Sequence, residues 1–247
     1  MNVGNANRRT ENVCRWFFFP LVMLLAFSLP SAAQRGRTTD MGAIVGAKYA
    51  APLWGDAEVE VEEELRFEGY QGVHLERWLT GLTFETPVTP IPWLGKRLHL
   101  GLHGAYVRHH VDQGYFDHRW RTGVDLSYYE TFQRFKFTYR SRFLCTFRDE
   151  RTGDYQVNPK WYWRNKLQAT YQQMGSRFKY TLSAECFWRL RALAKDSFVD
   201  HLRTTFAVNY RLTRRQSITG FIRMDNELQV KKPFDRFYLG LTYQLKY

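Results

Sequence analysis

Seven histidines and three cysteines are the residues of this 247-residue chain best suited to hold a metal or act as nucleophiles, and their spacing argues against both roles. His99 and His103 share one face of an extended segment but stand four residues apart, about 13 Å at the rise of a strand. Two ligands of one zinc must each approach it to about 2 Å, so this pair cannot chelate alone. His109 and His110 point to opposite faces. Cys145 and Cys186 share a face on strands separated by a third. Two interstrand steps of about 4.8 Å exceed the roughly 7 Å Cα separation that a disulfide tolerates, so both are expected to be free thiols. No G-x-S-x-G occurs, and Ser127, Ser141, Ser183 and Ser217 fall mostly on polar faces. The sequence therefore predicts no catalytic residue, no metal site and no cofactor. A lipid-acting membrane enzyme is a minority reading, since its serine, histidine and orienting group would have to face lipid.

The chemistry that remains is charge. The chain carries 36 Lys and Arg against 24 Asp and Glu, a formal +12, and these residues alternate with apolar ones. Glu58, Glu60, Glu62, Glu64 and Arg66 lie opposite Val59, Val61, Leu65 and Phe67. Arg121 and Asp125 lie opposite Trp120, Val124 and Leu126, and Arg140 and Arg142 opposite Phe143 and Cys145. Arg164, Glu185, Arg203, Arg211 and Arg223 repeat the pattern further on. The candidate lining of an enclosed interior is thus Glu60, Glu62, Glu64, Arg121, Arg140, Arg142, Arg164, Glu185, Arg203 and Arg223. Such groups could brace the interior as an Arg–Glu network, because buried charges require partners. Alternatively, their basic excess could line a pore favouring small anionic solutes. A nucleic-acid binder would gather its cations on one outer surface; here they alternate with apolar residues on nearly every segment, so nucleic acid is not an expected partner.

What must position them is a set of strands. From residue 40 onward, eleven segments of 11 to 15 residues show period-two alternation. They cover residues 40–50, 57–68, 74–85, 97–109, 117–130, 134–148, 160–172, 177–189, 200–212, 217–228 and the final stretch from Phe234. The fourth slips phase near Ala105, as a β-bulge would cause. Pro87, Pro90 and Pro92 mark a connection that cannot be a central strand. Single-chain bacterial barrels normally have an even strand number, so the expectation is an all-β, antiparallel transmembrane β-barrel of about twelve strands, with ten as the alternative.

Three further features point to a membrane. Arg8, Arg9 and Arg15 precede an apolar run from Trp16 to Leu29 and then Ser31-Ala32-Ala33, the order of a secretory signal. Residues 1–33 are therefore expected to be a cleaved signal peptide and 34–247 the barrel. The run of about 14 residues is shorter than the roughly 20 a membrane helix needs. Mean hydropathy is −0.49, which excludes a bundle of membrane helices but not a barrel, where only alternate residues meet lipid. Short turns near Phe132-Gln133, Met174-Gly175-Ser176 and Thr213-Arg214-Arg215 alternate with longer connections at 111–116, 149–159, 190–199 and 229–233, the rhythm of periplasmic turns and external loops. A secreted lipocalin-like barrel would also alternate. Against it stand the segment lengths, the aromatics at the ends of apolar faces (Trp120, Trp161, Trp188, Tyr210) and the charges at mid-strand, which a dry core could not easily take.

Glu60-Val61-Glu62-Glu63-Glu64-Leu65-Arg66-Phe67, Trp161-Tyr162-Trp163-Arg164-Asn165-Lys166-Leu167, Ser183-Ala184-Glu185-Cys186-Phe187-Trp188-Arg189-Leu190 and Tyr238-Leu239-Gly240-Leu241-Thr242-Tyr243 resemble strands of the bacterial domain-of-unknown-function family DUF2490. That resemblance implies an outer-membrane barrel with no assigned activity. The final strand, with Tyr243, Leu245 and Tyr247 on its apolar face, also resembles the closing strand that assembly machinery reads as an insertion signal. The expected location is the bacterial outer membrane, with its lipids and the barrel assembly machinery as partners.

Overall fold

The computed structural model describes residues 38–69, 73–88, 97–111, 115–149, 158–190, 199–228 and 234–247. The expected signal peptide, Pro90 and Pro92, and most of the longer connections lie outside the described residues. Eleven strands form: β1 (Thr38–Pro52), β2 (Glu58–Glu68), β3 (His74–Pro87), β4 (Leu98–Val111), β5 (Tyr115–Phe132), β6 (Phe135–Arg148), β7 (Lys160–Gln172), β8 (Phe178–Arg189), β9 (Val199–Arg211), β10 (Gln216–Glu227) and β11 (Phe234–Lys246). Each pairs antiparallel with the next, and β1 closes on β11, so the sheet has no edge.

The described wall thus has eleven strands, where the sequence predicts twelve or ten. An odd number of up-and-down strands leaves the first and last running in the same direction, so the closing pair must be parallel. It is parallel without interruption from Thr38↔Phe234 to Ala50↔Lys246. Slanted parallel bonds satisfy the backbone of both strands nearly as well as an antiparallel ladder, and parity therefore does not forbid closure. One consequence is that Thr38 and Tyr247 lie at opposite rims.

The pleat sorts the side chains cleanly. Large apolar residues cover the outer wall, with Met41 73%, Trp120 60% and Leu239 68% exposed. Among the described residues, Glu63 is the one charged side chain that the alternation puts outward midway along a strand; Arg108 and Asp235 take outward positions close to the rims. Glu63 accepts bonds from Trp78 Nε1 (2.8 Å) and Thr80 Oγ1 (3.0 Å). Among the described residues, two small apolar clusters pack inward, Leu79–Ala105–Val107 and Ile44–Phe221–Tyr238. In the second, the Tyr238 ring lies against Gly42 and the Phe221 ring against Gly240, each glycine sitting directly opposite its aromatic on the neighbouring strand. A Cβ at either glycine would collide with the ring.

The expected bulge near Ala105 does not form: β4 pairs with both neighbours without a register shift. The slip in pattern arises because Ala105 and Val107 take inward positions and pack on Leu79. The register shifts lie elsewhere, between Arg66 and Phe67 against β3 and between Phe187 and Trp188 against β9. The extra residues there are Glu76 and Asp200, and both enter the interior.

The loop rhythm holds for the second half of the chain. At the rim of Tyr247, residues 133–134, 173–177 and 212–215 suffice; the opposite rim takes 149–159 and 190–198. Residues 88–97 interrupt it, being a long connection on the short-turn rim, and residues 112–114 are a short one on the other.

Candidate functional site

The barrel encloses a cavity of about 1450 Å³, and all ten sequence-selected lining residues border it. Arg211 does not; it is exposed at the end of β9.

The backbone register builds the centre of this lining. Ser127, Arg140, Lys166, Glu185, Arg203, Asp225 and Arg236 are successive cross-strand partners from β5 to β11. Directly opposed residues have Cβ atoms about 4.5–5.5 Å apart, so the sequence of each strand is read across the sheet as one ladder of charge. Glu185 lies at its middle and takes Arg164 Nη2 at 3.0 Å, Arg140 Nη2 at 3.3 Å and Arg203 Nη1 at 3.8 Å. Arg203 then grips Asp225 with a fork, Nε and Nη2 each donating at 2.7 Å. Bidentate pairs of this kind are the strong and geometrically specific ones.

From Asp225 the network crosses β11 and β1 to reach β2. Arg66 Nη1 stands 4.0 Å from Asp225, and Arg66 also faces Glu64 at 3.6 Å and Glu76 at 3.8 Å. Its guanidinium lies 4.6 Å above the Tyr238 ring. Tyr238 Oη receives Arg66 Nη1 and donates to Glu76 Oε2, both at 3.4 Å. The flat seat of Tyr238 on Gly42 leaves room for this crossing. Glu64 also pairs with Arg77, and with Arg223 at 3.7 Å. Arg142 forks onto Asp125, with Nε to Oδ1 at 2.5 Å. Glu60 and Glu62 sit nearer the rim of Tyr247 and share Lys48 at 2.9 and 3.2 Å.

The interior is divided. Acids concentrate on β2, with Glu58, Glu60, Glu62 and Glu64, whereas β5 to β7 present Arg119, Arg121, Lys136, Arg140, Arg142, Arg164 and Lys166 against Asp125 and Glu130. Nine of the ten selected residues belong to ion pairs. Arg121 has none among the described residues, and its buried Nε lacks an acceptor. The buried Nε atoms of Arg140, Arg164 and Arg223 lack one too.

Sequence reasoning missed Glu76 and Asp200, because a regular strand would not send Glu76 and Arg77, or Asp200 and His201, to the same side. It also missed Phe187, which is buried beneath two guanidinium groups, Arg164 at 4.4 Å and Arg203 at 4.9 Å. Alternation places it inward between Glu185 and Arg189, so the signal was present. His99 pairs with Glu85 at 3.0 Å and His103 bonds Thr83 Oγ1 at 3.1 Å, so the two rings turn to different partners. Cys145 and Cys186 are free thiols.

Tyr243 and Tyr247 stand exposed on the outer face of β11 and Leu245 is half-buried there. Tyr247 N bonds Ala50 O at 2.9 Å, and Arg215 covers its ring at 4.8 Å.

The chain is a closed all-β barrel with a charged interior. No family model and no curated protein matches it, so the resemblance to DUF2490 rests on the strand motifs alone. Among solved structures it is similar to an anion-selective porin from Comamonas acidovorans, at 16% identity and a TM-score of 0.35, over 78% of this chain and 54% of the porin. The chain therefore spans about half the length of that protein.

Proposed function

We propose that the chain is an integral outer-membrane β-barrel of the structural or small-solute class, without enzymatic activity, whose interior is braced by the Arg–carboxylate network. The observation that carries this reading is the inversion of the two faces. A soluble lipocalin-type barrel keeps its apolar side chains inside; this one turns Met41, Leu82, Trp120, Phe143, Ile222 and Leu239 outward and its charges inward. In lipid a closed barrel leaves no backbone group unpaired, and an apolar belt between aromatic girdles suits the bilayer. Trp78, Trp120, Trp161 and Trp188 mark the girdle nearer the long connections, and Tyr49, Tyr171, Phe178 and Tyr243 the one nearer the C-terminus.

Lipids of the outer membrane and the barrel assembly machinery are the partners this implies, the latter reading Tyr243, Leu245 and Tyr247. Kinship with the DUF2490 family, carried by residues 60–67 and by motifs on β7, β8 and β11, belongs to the same reading. The cations of β5 to β7 favour a second function, the passage of small anionic solutes.

Cell fractionation tests the proposal. Recovery in the outer membrane, as a band whose migration changes on heating, is expected; recovery in soluble periplasm without that change would overturn it. Conductance in planar bilayers with an anion-directed reversal potential would add the second function.

A further inference from the structure

Buried or half-buried charges in a folded protein are held by partners, and nearly every arginine of the interior obeys this. Arg77 has Glu64, Arg119 has Asp117 at 2.8 Å, Arg142 has Asp125 and Arg164 has Glu185. Arg121 does not. It borders the cavity from β5, makes no ion pair among the described residues, and holds a buried Nε without an acceptor. Arg119 shares its inward face of β5, and Arg77 and Arg164 border the same cavity, all of its own sign. Arg164 adds a second buried Nε without an acceptor, and Arg77 a third.

We propose that Arg121 is the centre of a binding site for a small oxyanion, a phosphate or carboxylate, within the barrel. Three things converge on that class. Like charges brought together repel unless a counter-ion joins them. A guanidinium presents a planar fork that matches the geometry of carboxylate and phosphate oxygens. Arg77, Arg121 and Arg164, on β3, β5 and β7, all border the one open cavity, and the acids Glu64 and Glu185 are already engaged by Arg77 and Arg164. An oxyanion would take the donors left over without breaking the Glu64, Asp117 or Glu185 pairs. The inference rests on the reading of the interior as an accessible lumen and adds to it a named subsite and ligand class.

The full chain, folded in detergent micelles, is titrated calorimetrically with inorganic phosphate, with succinate and with chloride at constant ionic strength. Saturable uptake of phosphate or succinate is expected, with chloride weak, and the stronger of the two arms names the oxyanion. Arg121→Gln should weaken that uptake at least tenfold and Arg121→Lys by less, since the charge stays while the fork is lost. Arg177→Gln, in an exposed turn, should leave it unchanged. Because Arg121 braces no carboxylate, Arg121→Gln should unfold at the same temperature as the parent or higher. Equal phosphate and succinate binding by the parent and a folded Arg121→Gln barrel would overturn the site, as would no saturable oxyanion binding by the parent. A fall in unfolding temperature matching that of Glu185→Gln would also overturn it, by assigning Arg121 to bracing. Planar-bilayer conductance separates this from the pore reading: a chain that conducts but binds no oxyanion keeps the pore and loses the site, and one that binds without conducting does the reverse.

Discussion

Glu185 is the residue on which most of the interior depends. It is buried and serves Arg140, Arg164 and Arg203 at once. Glu185→Gln would leave three guanidinium groups competing for what remains, and removal of one partner from a buried pair costs about 3–5 kcal/mol. A clear fall in the unfolding midpoint, followed by the heat-induced change in migration, is the expected outcome. Lys246→Gln provides the contrast. Its bond to Glu58 spans 2.5 Å but both side chains are about half exposed, at 55% and 41%, and exposed pairs contribute about 0–1 kcal/mol. That midpoint should hardly move. The charged lining was legible in the sequence because strand periodicity is two, which turns a list of residues directly into a face. Glu76 and Asp200 were not legible: a bulge shifts the phase by one residue, and nothing in the local composition marks where. The pairing between charges was also hidden, since it depends on register between strands distant in sequence. Arg66 and Asp225, for example, meet across β1 and β11.

At the scale of elements, β11 carries two separable roles. Its inward side seats Phe221 on Gly240 and Tyr238 on Gly42, joining β10, β11 and β1 at the parallel seam. Gly240→Val should displace the Phe221 ring and destabilise the barrel by about 1–3 kcal/mol, the usual cost of overpacking. Adding Phe221→Ala should recover part of that loss, and a double-mutant comparison of unfolding midpoints would reveal the coupling. The outward side carries the proposed insertion signal. Deleting Tyr247 or changing Leu245→Asp should reduce the amount of folded protein in the outer-membrane fraction, while Lys246→Gln assembles normally. Equal assembly of all three would move the signal off this strand. Strand boundaries were readable to within about two residues along the whole chain, because alternation breaks where turns begin. The exception is instructive: β4 looked bulged near Ala105 only because an apolar pair faces inward there.

For the molecule as a whole, the odd number of strands among the described residues is the feature with the most direct experimental consequence. Sequence periodicity found each of the eleven strands among the described residues, but an assumption about parity asked for a twelfth or removed one. A closed up-and-down barrel with an even count brings both ends of its wall to the same rim. With eleven strands among the described residues and a parallel β1–β11 pair, Thr38 and Tyr247 lie at opposite rims. The short turns after β5, β7 and β9 share the rim of Tyr247, which in the proposed outer-membrane barrel would be the periplasmic one by the usual asymmetry of loop lengths. An epitope inserted immediately before Thr38 should therefore be reached by antibody on intact cells. An epitope between Thr213 and Arg214, a turn that cannot alter closure of the sheet, should be reached only after the outer membrane is permeabilised. Labelling of both sites on the same side would mean that the wall in cells closes with an even number of strands.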